Sequence, residues 1–389
     1  MTLPASLNRI QMKRPPFLPL IAAVAMIIAS VLFVPAAAGQ TLSGTVTDAT
    51  TGNAVAGATV FVANTTISGI SDASGAFSLS APPQYTFEVV AAIDGYAPAA
   101  VLATADDEAV TIPISAAEPM PAPGGSTDMN EKDLMEFFES TAFSWTNFSR
   151  DIEIVNPEAL QMTHDAANNV MTVTSNAPFE FDNLALGYKI KIYDFQMGGN
   201  QIGFGWQGFA LYIPLQPDKS KDEKKWKKNR ETVYEGTLRH FLASLAAENL
   251  KKAEWQAFFV DGPGSMPDEN PIAEAGLRSM YGEPTPVMYE GNSPTERKID
   301  FAGWVGVEYF GSGGDARVER YVDRFWPISQ LSEAMKQVNV TYFQMPELEA
   351  FFHESGVLVP TTRPPTQQFG YWTFFRLADM VPHDFMPEE

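Results

Sequence analysis

Thr41-Leu42-Ser43-Gly44-Thr45-Val46-Thr47, Ala58-Thr59-Val60-Phe61-Val62-Ala63, Ala76-Phe77-Ser78-Leu79-Ser80, Thr86-Phe87-Glu88-Val89-Val90-Ala91-Ala92 and Ala109-Val110-Thr111-Ile112-Pro113-Ile114 decide how the front of this chain folds. Each is a short run rich in β-branched and apolar residues, bounded by turn formers, which is the pattern of a β-strand. Asp48 with Thr51-Gly52 and Asp72 with Gly75 place side-chain acceptors and a positive-φ residue where hairpins reverse. Five or more short strands at this spacing predict a β-sandwich over residues 40–116. The stretch 41–115 contains no Lys, Arg, His or Trp, a texture found nowhere later in the chain.

Working outward toward the N-terminus, Arg9, Lys13 and Arg14 precede an almost wholly apolar run from Phe17 to Val34, which ends on Ala36-Ala37-Ala38. Positive, apolar and small in that order is the signature of a cleaved signal peptide, here residues 1–38. The chain has no cysteine, which removes disulfides, thiolate chemistry and a lipid anchor on an N-terminal Cys. The net charge of −21 becomes more negative still once the basic leader is removed. Nucleic acid is therefore not an expected partner, because phosphate binding needs Lys and Arg to neutralise a polyanion.

Toward the C-terminus, Glu118-Pro119-Met120-Pro121-Ala122-Pro123-Gly124-Gly125-Ser126 has too little apolar surface to fold and marks a linker over 117–129. From Asn130 the aromatic content rises, and all seven Trp lie beyond it. A larger domain is expected over 130–389. Val170 to Thr174, Leu186 to Phe195, Ile202 to Leu215, Phe301 to Phe310 and Arg317 to Phe325 read as strands, the last two around a turn at Gly311-Ser312-Gly313-Gly314. From Trp226 to Leu250 the residues Tyr234, Leu238, Phe241 and Leu245 fall on one stripe and predict one long helix. Asp261 to Arg297 reads as a long surface loop. The expected fold class is an N-terminal all-β sandwich followed by a larger α+β domain.

Gly44-x-Val46-x-Asp48, Thr51-Gly52, Val55-x-Gly57-Ala58-x-Val60, Gly69, Ser71-Asp72-x-x-Gly75-x-Phe77 and Gly95-Tyr96 together resemble the carboxypeptidase regulatory-like domain, a transthyretin-like sandwich. The resemblance implies a non-catalytic accessory module of the kind carried by peptidases, outer-membrane transporters and exported proteins of Bacteroidota-like bacteria. The remainder, through Asn156-Pro157, Asn183-Leu184-x-Leu186-Gly187-Tyr188, Trp226 with Asn229-Arg230, Tyr234-x-Gly236-x-x-Arg239-His240-Phe241-Leu242, Gly370-Tyr371-Trp372 and Met380-Val381-Pro382, resembles exported bacterial proteins with this sandwich ahead of an uncharacterised domain. That resemblance implies architecture and carries no site residues.

The motifs of catalysis are missing. His164, His240, His353 and His383 lack a His-x-x-Glu or His-Glu-x-x-His setting, so a zinc peptidase is not expected and no metal or other cofactor is predicted. A Gly-x-Ser-x-Gly elbow and a phosphate-binding glycine loop are also absent. Asp300, Glu308, Asp315 and Glu319 flank one hairpin and leave glycan hydrolysis as a remote alternative, with a solvated sheet face the expected reading.

Three features are candidates for binding. Lys219 to Arg230 concentrates seven basic residues in an acidic chain, and Lys224, Lys225, Lys227 and Lys228 are the candidate docking residues for an anionic glycan or envelope partner. Placed at the start of a helix, they would oppose its dipole. Arg239 and His240, expected near the middle of the same helix, are a second candidate for ligand contact, with a buried or half-buried salt bridge to the sheet as the ordinary role. Phe204, Trp206, Phe209, Tyr371 and Trp372 are a third, as a sugar platform or as core. The function expected is an exported, non-enzymatic binding or structural protein of the cell envelope, with the sandwich as spacer or docking module. Alternatives are an accessory part of an outer-membrane transport system, or a hydrolase with a carboxylate site.

Overall fold

Seven strands build the sandwich: β1 (Thr41–Asp48), β2 (Thr59–Val62), β3 (Ser68–Ile70), β4 (Ala76–Ser80), β5 (Phe87–Ala92), β6 (Ala99–Ala103) and β7 (Ala109–Ile114). The computed structural model describes residues 40–80, 82–118, 123–124, 129–143, 146–200, 203–260, 288–311, 340–344, 349–360 and 367–388. The leader 1–38, part of the linker, the strand 317–325 and most of its glycine turn lie outside them. The sandwich sheets run β4-β1-β7 and β3-β2-β5-β6, so all five expected runs are strands and β3 and β6 are added at the edges. At its first turn Asp48 Oδ1 accepts the N–H groups of Thr50 (2.9 Å) and Thr51 (2.7 Å), and Gly52 takes φ 71°. Gly44 is required for packing, because a Cβ there would enter the Phe77 ring.

The second region opens with helix α1 (Glu131–Ala142), whose N-cap Asn130 accepts the Asp133 N–H at 2.9 Å. Leu134, Phe138 and Ala142 fall on one face and pack with Phe143, Phe179, Phe181 and Phe195. They cover a six-stranded antiparallel sheet of β8 (Ile152–Ile154), β9 (Leu160–Asp165), β10 (Val170–Ser175), β11 (Phe179–Asn183), β12 (Tyr188–Gly199) and β13 (Phe204–Pro214). β13 runs along one side of β12, while β11 and β10 share the other. A bulge falls between Tyr193 and Gln196, and Gly208 faces it at φ 139° where a Cβ would meet Ile192 and the Tyr193 carbonyl.

Helices α2 (Ser220–Tyr234) and α3 (Leu238–Ala246) follow. The single long helix expected from Trp226 to Leu250 is thus corrected to two. Gly236 at φ 76° ends the first, and the Thr237 side chain caps the second by accepting the His240 N–H at 3.2 Å. The remaining strands are β14 (Trp255–Val260), β15 (Met288–Glu290), β16 (Glu296–Asp300), β17 (Trp304–Tyr309), β18 (Val340–Gln344), β19 (Glu349–His353) and β20 (Gln367–Gly370). They form sheets ordered β14-β17-β18-β20 and β15-β16-β19. Phe241, Leu242 and Leu245 of α3 close the core over Trp255, Val305, Val307, Phe343 and Trp372. The end of the expected loop 261–297 is strand, since β15 and β16 pair there. The fold class is as expected in outline and richer in β-structure than in helix.

The described residues from Thr41 onward form one compact unit. Phe61, Ala63, Val90 and Ala92, on the outer face of β2 and β5 and the turn after β2, pack with Tyr193 and Leu211 of β12 and β13. The Phe61 and Tyr193 rings lie 5.1 Å apart. The turn Asn64-Thr65-Thr66 lies on the free edge of β13, where Asn64 N donates to Ala210 O (2.7 Å) and Tyr212 N donates to Thr65 O (3.0 Å).

Candidate functional site

The lysine-rich helix α2 is held from one side. Trp226, Asn229, Arg230 and Val233 share a face by their spacing of three, one and three. Trp226 Nε1 donates to Leu184 O (2.8 Å), Asn229 Nδ2 to Ala185 O (2.7 Å) and Arg230 Nε to Leu186 O (2.7 Å). Three side chains thus take three successive carbonyls of the β11–β12 turn. Gly187 in that turn adopts φ 74° and lies against the Trp226 ring, which a Cβ would strike. The Arg230 guanidinium sits 4.1 Å from the centroid of the Tyr188 ring. Asn183 ties the turn down by accepting the Leu186 N–H (3.0 Å) and donating to Ala378 O (3.0 Å).

The opposite face of α2 carries Lys221, Lys224 and Lys228 at i, i+3 and i+7, all exposed. Among the described residues none of the three has an ion-pair partner, whereas Lys225 pairs with Asp151 (3.3 Å) and Lys227 with Glu388. Of the four lysines expected to act together, Lys224 and Lys228 therefore face solvent uncommitted, and Lys225 and Lys227 are tied to neighbours. Lys221 joins the open pair, a partner visible only once the helix register is known. The expected conflict with the helix dipole is relieved, because Asp222 and Glu223 occupy the first turn and Asp222 accepts the Lys219 N–H at 3.0 Å.

Arg239 and His240 lie in the first turn of α3, not mid-helix. Instead of the expected salt bridge, the Arg239 guanidinium donates to the carbonyls of Pro382 (3.0 Å), His383 (2.8 Å) and Phe385 (2.7 Å). It clasps the C-terminal segment, which also bonds the sandwich: His383 N donates to Asn64 O (2.7 Å) and Thr66 N to Asp384 Oδ1 (3.1 Å). His240 Nδ1 accepts the Gly236 N–H (3.1 Å), and its ring packs against Tyr234, Trp255 and Tyr309. Burial pushes its pKa down to about 4, so it is neutral at pH 7.

The other candidates are dispersed. Trp206 packs with Phe195, Phe209 lies at the contact between sandwich and sheet, and Tyr371 and Trp372 are buried in the core under α3. Trp372 Nε1 donates to Gly236 O (2.8 Å). Phe204 belongs to β13, and its side chain is outside the described set. Of the acids, Asp300 on β16 pairs with Lys298 (3.3 Å), and Glu308 stands on β17 of a different sheet with its pKa raised by burial. Asp315 and Glu319 lie outside the described residues. Among the described residues no group of three His, Asp or Glu is gathered at metal-ligand spacing, and no helix is long and apolar enough to cross a membrane.

Residues 42–119 match the model of the CarboxypepD_reg-like domain, and the strands of the sandwich fill that span. No curated protein matches the chain. Among solved structures it is similar to the shaft pilin SpaA of Lactobacillus rhamnosus GG, at 17% identity over 21% of this chain and 48% of the pilin, TM-score 0.19. The chain thus spans about half the length of that pilin. A cohesin–dockerin complex of Acetivibrio cellulolyticus matches at 22% identity over 27% of this chain and 78% of that one, TM-score 0.18. A membrane-associated protein of unknown function from Bacteroides fragilis matches at 12% identity over 46% of this chain and 83% of that one, TM-score 0.16.

Proposed function

We propose that this is an exported, non-catalytic protein of the cell envelope that docks an anionic glycan through the outer face of α2. The observation that carries the reading is the row Lys221, Lys224 and Lys228: three exposed, uncommitted ammonium groups on a helix whose other face is clamped to the β11–β12 turn. In a chain of net charge −21 this row is a local reversal of sign, which attracts a polyanion while the surrounding acids repel it from other faces. The match of residues 42–119 to a regulatory, non-catalytic type of domain supports the non-enzymatic part. The sandwich serves as a brace, because its outer sheet face is buried on β12 and β13.

The test is binding of the full exported chain to purified lipopolysaccharide and to neutral dextran, followed by light scattering or surface resonance. The expected result is saturable binding to the anionic polymer alone. It weakens about tenfold or more in the triple variant Lys221→Ala, Lys224→Ala, Lys228→Ala, since each exposed contact is worth up to ~1 kcal/mol, and it weakens steeply with salt. Equal binding by the variant, or none by the native chain, would remove this reading.

A further inference from the structure

Strand β8 closes one end of the six-stranded sheet and, among the described residues, is paired on one side only, to β11. Asp151 O accepts from Leu184 N (2.8 Å) and Val155 N donates to Glu180 O (2.9 Å). In an antiparallel ladder bonds to one neighbour recur at every second residue, so the peptide groups of Ile152 and Ile154 point away from β11 to the open edge. Beside that edge lies an open groove of about 330 Å³, lined by Glu136, Glu139, Ser140 and Phe143 of α1 and its end, and by Ser149, Ile152 and Ile154. Its floor is apolar: Phe143 is buried, and Ile152 and Ile154 are half-buried. Its rim carries two exposed acids, Glu139 and Glu136, the latter paired with Lys132 of the same helix (3.6 Å).

We infer that this edge takes up an extended segment of another protein whose apolar side chains alternate with Lys or Arg. The segment adds to β8 as a further strand, bonding the outward peptide groups of Ile152 and Ile154. Its apolar residues enter the groove over Phe143, Ile152 and Ile154, and the cations between them, on the opposite face of the added strand, meet exposed Glu153. A second copy of this chain is a poor occupant, because pairing β8 with β8 brings the Glu153, Glu136 and Glu139 sets of two strongly acidic molecules together. The site goes beyond the glycan-docking face and has the opposite charge preference. The two are neighbours, since Lys225 of α2 pairs with Asp151 at the head of β8.

The experiment is fluorescence anisotropy of the full exported chain with a labelled peptide of about eight residues alternating Val and Lys, long enough to span a typical strand. Controls are its Val–Glu counterpart and two versions of the Val–Lys peptide, N-methylated on odd or on even residues. The Val–Lys peptide is expected to bind saturably, with the Val–Glu peptide weaker by about tenfold or more. One N-methyl isomer should bind and the other should not, because only one edge of an added strand meets β8. Glu153→Gln should erase the preference for Lys, while the Lys221, Lys224 and Lys228 triple variant should leave it unchanged. Equal binding of the two N-methyl isomers, or no binding of the Val–Lys peptide, would overturn the proposal.

Discussion

Arg239 holds the C-terminal segment by geometry more than by charge. A planar fork reaches the carbonyls of Pro382, His383 and Phe385 at once, with distances of 3.0, 2.8 and 2.7 Å, and an ammonium group on a flexible stem cannot reproduce that fork. Arg239→Lys therefore keeps the charge and leaves one buried and two half-buried carbonyls short of donors, at an expected cost of about 1–3 kcal/mol, read as a lower urea midpoint at unchanged slope. Gly187 makes a sharper case. Its φ of 74° and its contact with the Trp226 ring leave no place for a methyl group. Gly187→Ala should cost about 2–4 kcal/mol through strain and overpacking and should shift Trp226 fluorescence as the ring is displaced. Both residues stand in the sequence motifs quoted for the second region. The structure shows why such motifs look like sites: Gly187 and Trp226, Arg239 and Pro382, and Gly236 and Trp372 are far apart in sequence and touch in space.

Elements were legible where one local rule governs them. The sandwich strands follow from alternation and turn residues, and β10, β12 and β13 from long runs of alternating or apolar residues. Helix α1 was missed because Phe137, Phe138 and Phe143 read as a general rise in aromatic content, and its apolar stripe emerges only against Phe179 and Phe195. The break between α2 and α3 has one local sign, Gly236, which the continuing stripe Tyr234, Leu238, Phe241 and Leu245 concealed. The lysine face was half legible. Composition marks the run, but helix register and the positions of Asp151 and Glu388 decide which amines stay free. At this scale the chain predicts its own control: Lys225→Ala and Lys227→Ala should change polyanion affinity less than Lys224→Ala and Lys228→Ala, because the former pair already has acidic partners. An affinity series across the four single variants reads the difference directly.

For the whole molecule the decisive contact is between the two sheets at Phe61, Val90, Tyr193 and Leu211. It was not anticipated from Thr59-Val60-Phe61-Val62 and Phe87-Glu88-Val89-Val90-Ala91-Ala92, which read as ordinary sandwich strands, although both are apolar on two faces as strands covered twice are. The consequence is cooperative unfolding. All seven Trp lie outside the sandwich, so Trp fluorescence reports the second region alone while far-ultraviolet dichroism reports both. In the native chain the two signals should change together on denaturation. Leu211→Asp places a carboxylate between the sheets, and the two curves should then separate, since the sandwich keeps a core of its own around Val46, Val60, Phe77 and Ile112.

Acid acts on the same assembly through three histidines held neutral by burial. His240 is pushed down to about 4, His383 to about 3, with the Arg239 charge adding to burial, and His353 is lowered as well. Each protonates near its ordinary value of 6.5 once the chain unfolds. Below pH 6.5 the unfolded chain therefore binds protons that the folded chain refuses, and stability falls as pH drops toward about 4, by up to ~1.4 kcal/mol per pH unit for each of His240 and His383. Asp48 and Asp72, lowered by hydrogen bonds from Thr51 and Ser74 respectively, act in the same direction only nearer their ordinary value of 3.8. The loss between pH 6.5 and 4 thus belongs to the histidines, and Glu88 and Glu308, whose pKa values burial raises, offset part of it. His383→Gln, which does not titrate, should flatten the slope of urea midpoint against pH by about one proton; an unchanged slope would place His383 in water and dissolve the clasp drawn around it.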